Sequence, residues 1–221
     1  MNILDLDLDF FVSHPVYDNS ILPAYRQEPS VWNVADVHWF LRSCCGLRGL
    51  VPGWVIDHHK DVYFIVRDDP LHLGLSHTGH SWVHVDSHSD LGFGASLSYF
   101  SDSRSPRVSS EVVIDSNNVL LALVSDGYIA ELHNVYNQNS VFDYDVCLFS
   151  QAPSRNQFSP AFTDRTVTFH KYIEAEFNWT VGFDLIFLSQ SARYSAKNSD
   201  SVSKFIRGNY IREFHAAPAP L

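Results

Sequence analysis

Three short apolar runs in this chain each stop at a group of acidic or acidic and histidine residues. Ile3 to Leu8 alternates apolar residues with Asp and runs on through Asp9 into Phe10-Phe11-Val12. Trp54-Val55-Ile56 stops at Asp57-His58-His59, and Trp82-Val83-His84-Val85 stops at Asp86-Ser87-His88-Ser89-Asp90. Buried runs of four or five residues, separated by helix-length segments, predict a mostly parallel sheet covered by helices, an α/β fold. In such sheets ligands and chemistry gather beyond the carboxyl ends of the strands. The intervening pattern predicts a helix over Val31 to Leu41 capped by Ser30, a helix over Asp61 to Arg67, and a helix over Asn118 to Ser125 capped by Ser116 and closed near Gly127. Val146 to Phe149 and Leu185 to Leu188 read as further buried strands, Ser150 to Pro160 as loop, and residues 216–221 as a frayed tail.

A chain of 221 residues supports one α/β domain with a substantial core, and no linker divides it, so residues 1–221 are read as a single domain. The formal net charge of −10 argues against a nucleic-acid partner, which would need clustered Lys and Arg, and suits a cationic substrate or carboxylates gathered around a metal. No apolar run approaches the roughly 18 residues that span a bilayer. The acidic start, Met1-Asn2-Ile3-Leu4-Asp5, lacks the basic region of a secretory signal, so a cytoplasmic location is expected. Cys44, Cys45 and Cys147 fit neither a zinc-finger spacing nor a disulfide framework.

The chemistry concentrates in Asp86-x-His88-x-Asp90. Residues two apart on an extended backbone project to the same side, so the three side chains are expected together at a strand's end. Carboxylate and imidazole donors without thiolate suit manganese, iron or zinc, and paired-metal sites share carboxylates between ions roughly 3.5–4 Å apart. Asp5, Asp7 and Asp9 repeat the alternation, and three like charges on one strand repel unless a cation compensates. Asp57-His58-His59 could add one more imidazole. His84 reads as a supporting or core histidine. His14, His38, His72, His77, His80, His133, His170 and His215 have no supporting spacing, and Glu174-Ala175-Glu176 reads as a solvated face.

Val85 to Asp90 resembles the Asp-x-His-x-Asp motif of the arginase/agmatinase (ureohydrolase) superfamily, with Asp57-His58-His59 as the upstream histidine segment. The superfamily's Asp-x-Asp strand stands here at the N-terminus, as Leu6-Asp7-Leu8-Asp9-Phe10-Phe11. That permuted order, the small size, and the segments Asn118 to Gly127 and Asp184-Leu-Ile-Phe-Leu-Ser-Gln-Ser191 are similar to a family that includes peptide arginases of ribosomal peptide natural-product pathways. The resemblance implies an arginase/deacetylase-like domain holding two Mn2+ ions, acting on an arginine-containing precursor peptide and releasing urea to leave ornithine. It implies Asp86 and Asp7 as bridging ligands, Asp90 and His59 completing one ion's set, with His58 the alternative to His59, and His88 with Asp9 completing the other. A hydroxide held between the ions by Asp7 and Asp86 would be the nucleophile. Gln190 and Ser191 are the candidates for substrate contact, and Gly74 to His80 and Ser98 to Ser110 the candidate walls of a peptide groove.

Other readings each explain part of this pattern. Asp57-His58-His59 is also a signature triplet of metal phosphoesterases, and Asp7-x-Asp9 after an apolar strand resembles the opening of aspartyl phosphatases. A free-arginine or agmatine ureohydrolase would use the same ligands, and a non-catalytic peptide-binding protein could keep a decayed site.

Overall fold

Runs that can be buried on both faces take the interior of a sheet. The computed structural model describes residues 1–12, 30–68, 73–75, 79–88, 90–91, 114–116, 118–137, 149–150, 157–160, 167–190 and 199–214. In chain order the elements are β1 (Asn2–Asp7), α1 (Val34–Trp39), β2 (Val51–Ile56), α2 (Asp61–Asp68), β3 (His80–Val85), α3 (Val119–Asp126), β4 (Ile129–Tyr136), β5 (Phe149–Ser150), β6 (Gln157–Pro160), β7 (Val167–Ile173), β8 (Leu185–Ser189), α4 (Asp200–Tyr210) and β9 (Ile211–Glu213). They form one sheet in the order β5-β6-β7-β4-β3-β1-β8-β2-β9. From β7 to β9 along the sheet every pairing is parallel, and the antiparallel pairings are those of β6 with β5 and with β7, at one margin. The expected α/β architecture, a mostly parallel sheet flanked by helices, is therefore present.

Strand alternation sends successive side chains to two cores. On one face Ile3, Trp82, Leu132, Leu185 and Phe187 pack with Val62, Tyr63 and Val66 of α2 and with the apolar run Val119 to Val124 of α3. On the other, Leu4, Leu6, Val83, Val85, Ile186 and Leu188 pack with Val37 of α1, with Phe40 and Leu41 beyond it, and with Val202 and Ile206 of α4. β1 lies at the centre, between β3 and β8, which places its alternating aspartates among buried neighbours rather than at an edge.

Three local expectations change. The first helix begins at Val34, because the Asn33 carboxamide oxygen accepts from Asp36 N and caps there; it then widens into a π-helical turn over Phe40–Cys44. The third begins at Val119 with Asn118, not Ser116, at its N-cap, and Asn118 Oδ1 accepts from Asp115 N. Gly127 closes that helix as expected, at φ 86°, a conformation that costs glycine little. Within Ser150 to Pro160, expected as loop, Gln157–Pro160 is a strand antiparallel to β7; a marginal strand lacks the continuous apolar run that marks one buried on both faces. Residues 146–148 and the 216–221 tail lie outside the described residues. Among the described residues no helix is long and apolar enough to cross a membrane.

Candidate metal centre

Two adjacent parallel strands end side by side. Asp5 of β1 is in register with His84 of β3, so the chain leaves β1 at Asp7 and β3 at Val85 on neighbouring lines. The extended geometry expected through both motifs stops there. Asp9 lies in a 3-10 turn over Leu8–Phe11, and Asp86 to His88 form a bend leading to Asp90 at φ 48°. One device serves both turns: Asp7 Oδ1 accepts from Asp9 N at 3.0 Å, and Asp86 Oδ1 accepts from His88 N at 2.8 Å. A carboxylate that folds back on the N–H two residues on holds a tight turn and fixes its own rotamer. The turns dock on each other through Ser87, whose N–H and hydroxyl donate to Asp9 Oδ1 and to the Asp9 carbonyl. The Asp90 carbonyl accepts from Leu120 N, tying this turn to the start of α3.

His59 arrives from the other side. After β2 the chain turns through Asp57 to Lys60 into α2, leaving Asp57 and His58 exposed and His59 1% exposed. β8 separates β2 from β1, and at the level of Asp7 it carries the small, buried Ser189. His59 Nε2 donates to Asp5, 2.8 and 2.9 Å from its two oxygens, and His84 Nδ1 donates to Asp5 at 2.9 Å. Asp5 thereby sets the orientation of both imidazoles. His59 Nδ1 points into the cluster, 2.5 Å from Asp90, 3.6 Å from Asp86 and 3.8 Å from Asp7, yet among the described residues it makes no hydrogen bond of acceptable geometry. An imidazole backed by a carboxylate, with its other nitrogen aimed among carboxylate oxygens, is how metal-ligating histidines are held.

The donor atoms fall into overlapping sets. Asp7, His59 and Asp86 offer ligand atoms within 4.8 Å of one another, and so do Asp9, Asp86 and His88. Asp86 is common to both. His88 Nδ1 lies 2.8 Å from Asp9 and 3.4 Å from Asp86. These buried clusters could hold metal ions, and their oxygen and imidazole donors fit a borderline or hard divalent cation. Burial pushes the Asp86 carboxyl up, and the neighbouring Asp9, Asp90 and Asp7 charges push it further. Burial pulls the His59 and His88 imidazoles down, but Asp5 and Asp90 hold His59 well above its ordinary value, and Asp9 and Asp86 push His88 up to about 12. Burial likewise raises Asp5, but His59 and His84 outweigh it and hold its carboxyl well below the usual range. The metal-free cluster therefore carries protons that a cation would displace.

The six expected ligands Asp7, Asp9, His59, Asp86, His88 and Asp90 are thus brought together, while His58 faces outward. Gln190 Nε2 donates to Asp57 at 3.3 Å, Ser191 lies outside the described residues, and Ser98 to Ser110 lies outside them as well. Of Gly74 to His80, only Gly74, Leu75, Gly79 and His80 are described. The supporting role of Asp5 went unread because its spacing is that of Asp7 and Asp9. Asn134 of β4 was missed too. In register with His84 and fully buried, it has neither amide atom hydrogen-bonded among the described residues. Glu174, expected on a solvated face, is buried. Searches against family models, curated proteins and solved structures find no match to this chain.

Proposed function

We propose that this protein is a binuclear manganese hydrolase that converts arginine side chains of a precursor peptide to ornithine and releases urea. The observation that carries the reading is the pair of donor sets that share Asp86, since one shared carboxylate could serve two ions at once. The motif Asp86-x-His88-x-Asp90 and its resemblance to the ureohydrolases supply the guanidinium substrate, and the acidic chain suits a cationic side chain. When bound, two divalent cations would supply positive charge that lowers the pKa of water at the site.

The chain's own residues have separable tasks. Asp7, Asp86, Asp9 and Asp90 would contribute oxygens, and His59 and His88 nitrogens. Asp5 holds His59 so that its Nδ1 faces the carboxylates. The paired Asp turns and the Ser87 contacts keep the two strand ends in fixed relation, so the donors are arranged before a cation arrives. In the reaction, water adds to the guanidinium carbon, the bond from that carbon to the side-chain nitrogen breaks, and the nitrogen leaves as the ornithine amine once protonated.

The phosphoesterase alternative needs Asp57, His58 and His59 to act together. Asp57 and His58 are exposed while His59 is buried among Asp5, Asp7, Asp86 and Asp90, so the triplet does not converge. The test incubates the Mn2+-loaded protein with a peptide holding several arginines, with free arginine, with agmatine and with a phosphodiester. Mass loss of a cyanamide unit per converted arginine, with one urea released, is the expected result. Faster turnover of free arginine or agmatine would make the protein an ordinary ureohydrolase, and phosphate ester cleavage without urea would remove the proposal.

A further inference from the structure

A second cluster of ligating side chains lies on the opposite face of the sheet. On β4, Leu132 packs in the core beneath α2 and α3, so Glu131 and His133, one residue to either side, project to the face of α1 and α4. β7 pairs with β4 in parallel, and its His170 is in direct register with His133. Three donors thus meet through alternation and register alone. Glu131, His133 and His170 each offer one ligand atom, and these lie within 4.8 Å of one another. Each Nε2 approaches that one carboxylate oxygen, at 3.2 Å from His133 and 3.3 Å from His170.

The surroundings orient these donors. The second carboxylate oxygen of Glu131 accepts from the Ser81 hydroxyl at 3.1 Å, leaving Oε1 turned to the imidazoles. The Tyr172 hydroxyl lies 3.4 Å from His133 Nδ1, the nitrogen remote from the cluster. The His133 ring is held edge-on against Trp179, centroids 4.8 Å apart, and parallel to His170 at 4.4 Å. His133 is 7% exposed, and its Nε2, aimed at the cluster, has no hydrogen bond of acceptable geometry among the described residues. A buried nitrogen in that state costs free energy unless something accepts its lone pair or its proton. His170 and Glu131 remain partly open, at 26% and 42% exposure, so a cation can enter from solvent.

We propose that Glu131, His133 and His170 form a separate site for one borderline divalent cation of the Zn2+ type, with a coordination position left open to solvent. Two imidazoles and one carboxylate around an open position is a familiar zinc set, and it lacks the shared carboxylate of the main cluster. The site does not depend on the activity proposed above.

The full-length protein, stripped with a chelator, is titrated with Zn2+ against a chromophoric competitor, and separately with Co2+ while the visible spectrum is recorded. His170→Ala and Glu131→Gln alter partly exposed side chains and leave the core intact. Each is expected to bind one equivalent fewer than the parent and to lose the visible band of low-coordinate Co2+. Asp86→Asn is expected to keep that equivalent and that band. Zn2+ stoichiometry and Co2+ spectra unchanged in both His170→Ala and Glu131→Gln would overturn the site, as would loss of the same equivalent in Asp86→Asn.

Discussion

The two clusters use the same donor chemistry, carboxylate and imidazole, under different physical conditions. The cluster on β1 and β3 sits where strands end, with Asp7, Asp9, Asp86 and Asp90 all 5% exposed or less. The cluster on β4 and β7 sits in mid-strand with a single carboxylate, 42% exposed. Alternation and register are enough to bring three donors together in the second. They are not enough for the first, since a straight strand cannot aim four carboxylates at a common point. There the chain leaves the strand, and each motif bends on its own leading Asp. Buried carboxylates repel and lose hydration, so a bound cation would stabilise the first cluster far more than the second.

The largest effect expected is that of Asp86→Asn, which removes the carboxylate common to both donor sets. Metal binding at the main cluster and urea release should fall to background, beyond the ~100-fold typical of losing a group that only supports a ligand. Elemental analysis and circular dichroism together check this, and two tightly held ions in a folded Asp86→Asn would break the comparison at its root. His59→Ala should be comparably severe. His58→Ala, altering an exposed neighbour, should stay within about twofold of the parent, the usual range for surface positions. The reverse order in a urea assay would move the ligand to His58.

Asp5→Asn tests orientation rather than ligation. It keeps the shape and weakens the carboxylate hold on His59 and His84, so a loss of about 10–100-fold in Mn2+ affinity is expected. Raising Mn2+ should restore turnover in Asp5→Asn but not in Asp86→Asn. Recovery of both would place Asp5 and Asp86 in the same role.

A smaller effect concerns pH. With His59 and His88 held above their ordinary values in the metal-free protein, their contribution to stability is fully present below the unfolded imidazole value of about 6.5. It is lost as pH rises toward the folded values, about 12 for His88. Cation binding needs those nitrogens deprotonated and so releases protons. The gain in melting temperature on adding Mn2+ should therefore grow with pH across the neutral range. A gain independent of pH would show that the imidazoles are not displaced from their protons. Least affected should be urea release in His170→Ala, within about twofold of the parent, because that side chain lies on the other face of the sheet. A large loss there would couple the two clusters.

Much of the main cluster was legible because its signals are local. An apolar run that halts at Asp7 or at Asp86 announces a buried strand and the polar end where chemistry collects. Spacing grouped Asp86, His88 and Asp90, and it grouped Asp7 and Asp9 together with Asp5. The α/β class was readable as well, since an unbroken apolar run such as Leu185 to Leu188 suits a strand buried on both faces. The rest came from how the elements pack. Which of two adjacent histidines turns inward depended on how the bend after β2 meets α2. Whether Asp5 ligates or supports depended on His84 standing beside it in the neighbouring strand. Glu131, His133 and His170 carried no readable signal, because Glu131 and His133 meet His170 only through the pairing of β4 with β7. Alternation tells a side chain which face to take, but strand order and register are set by the packing of the whole sheet. A site assembled across strands is therefore visible only after folding.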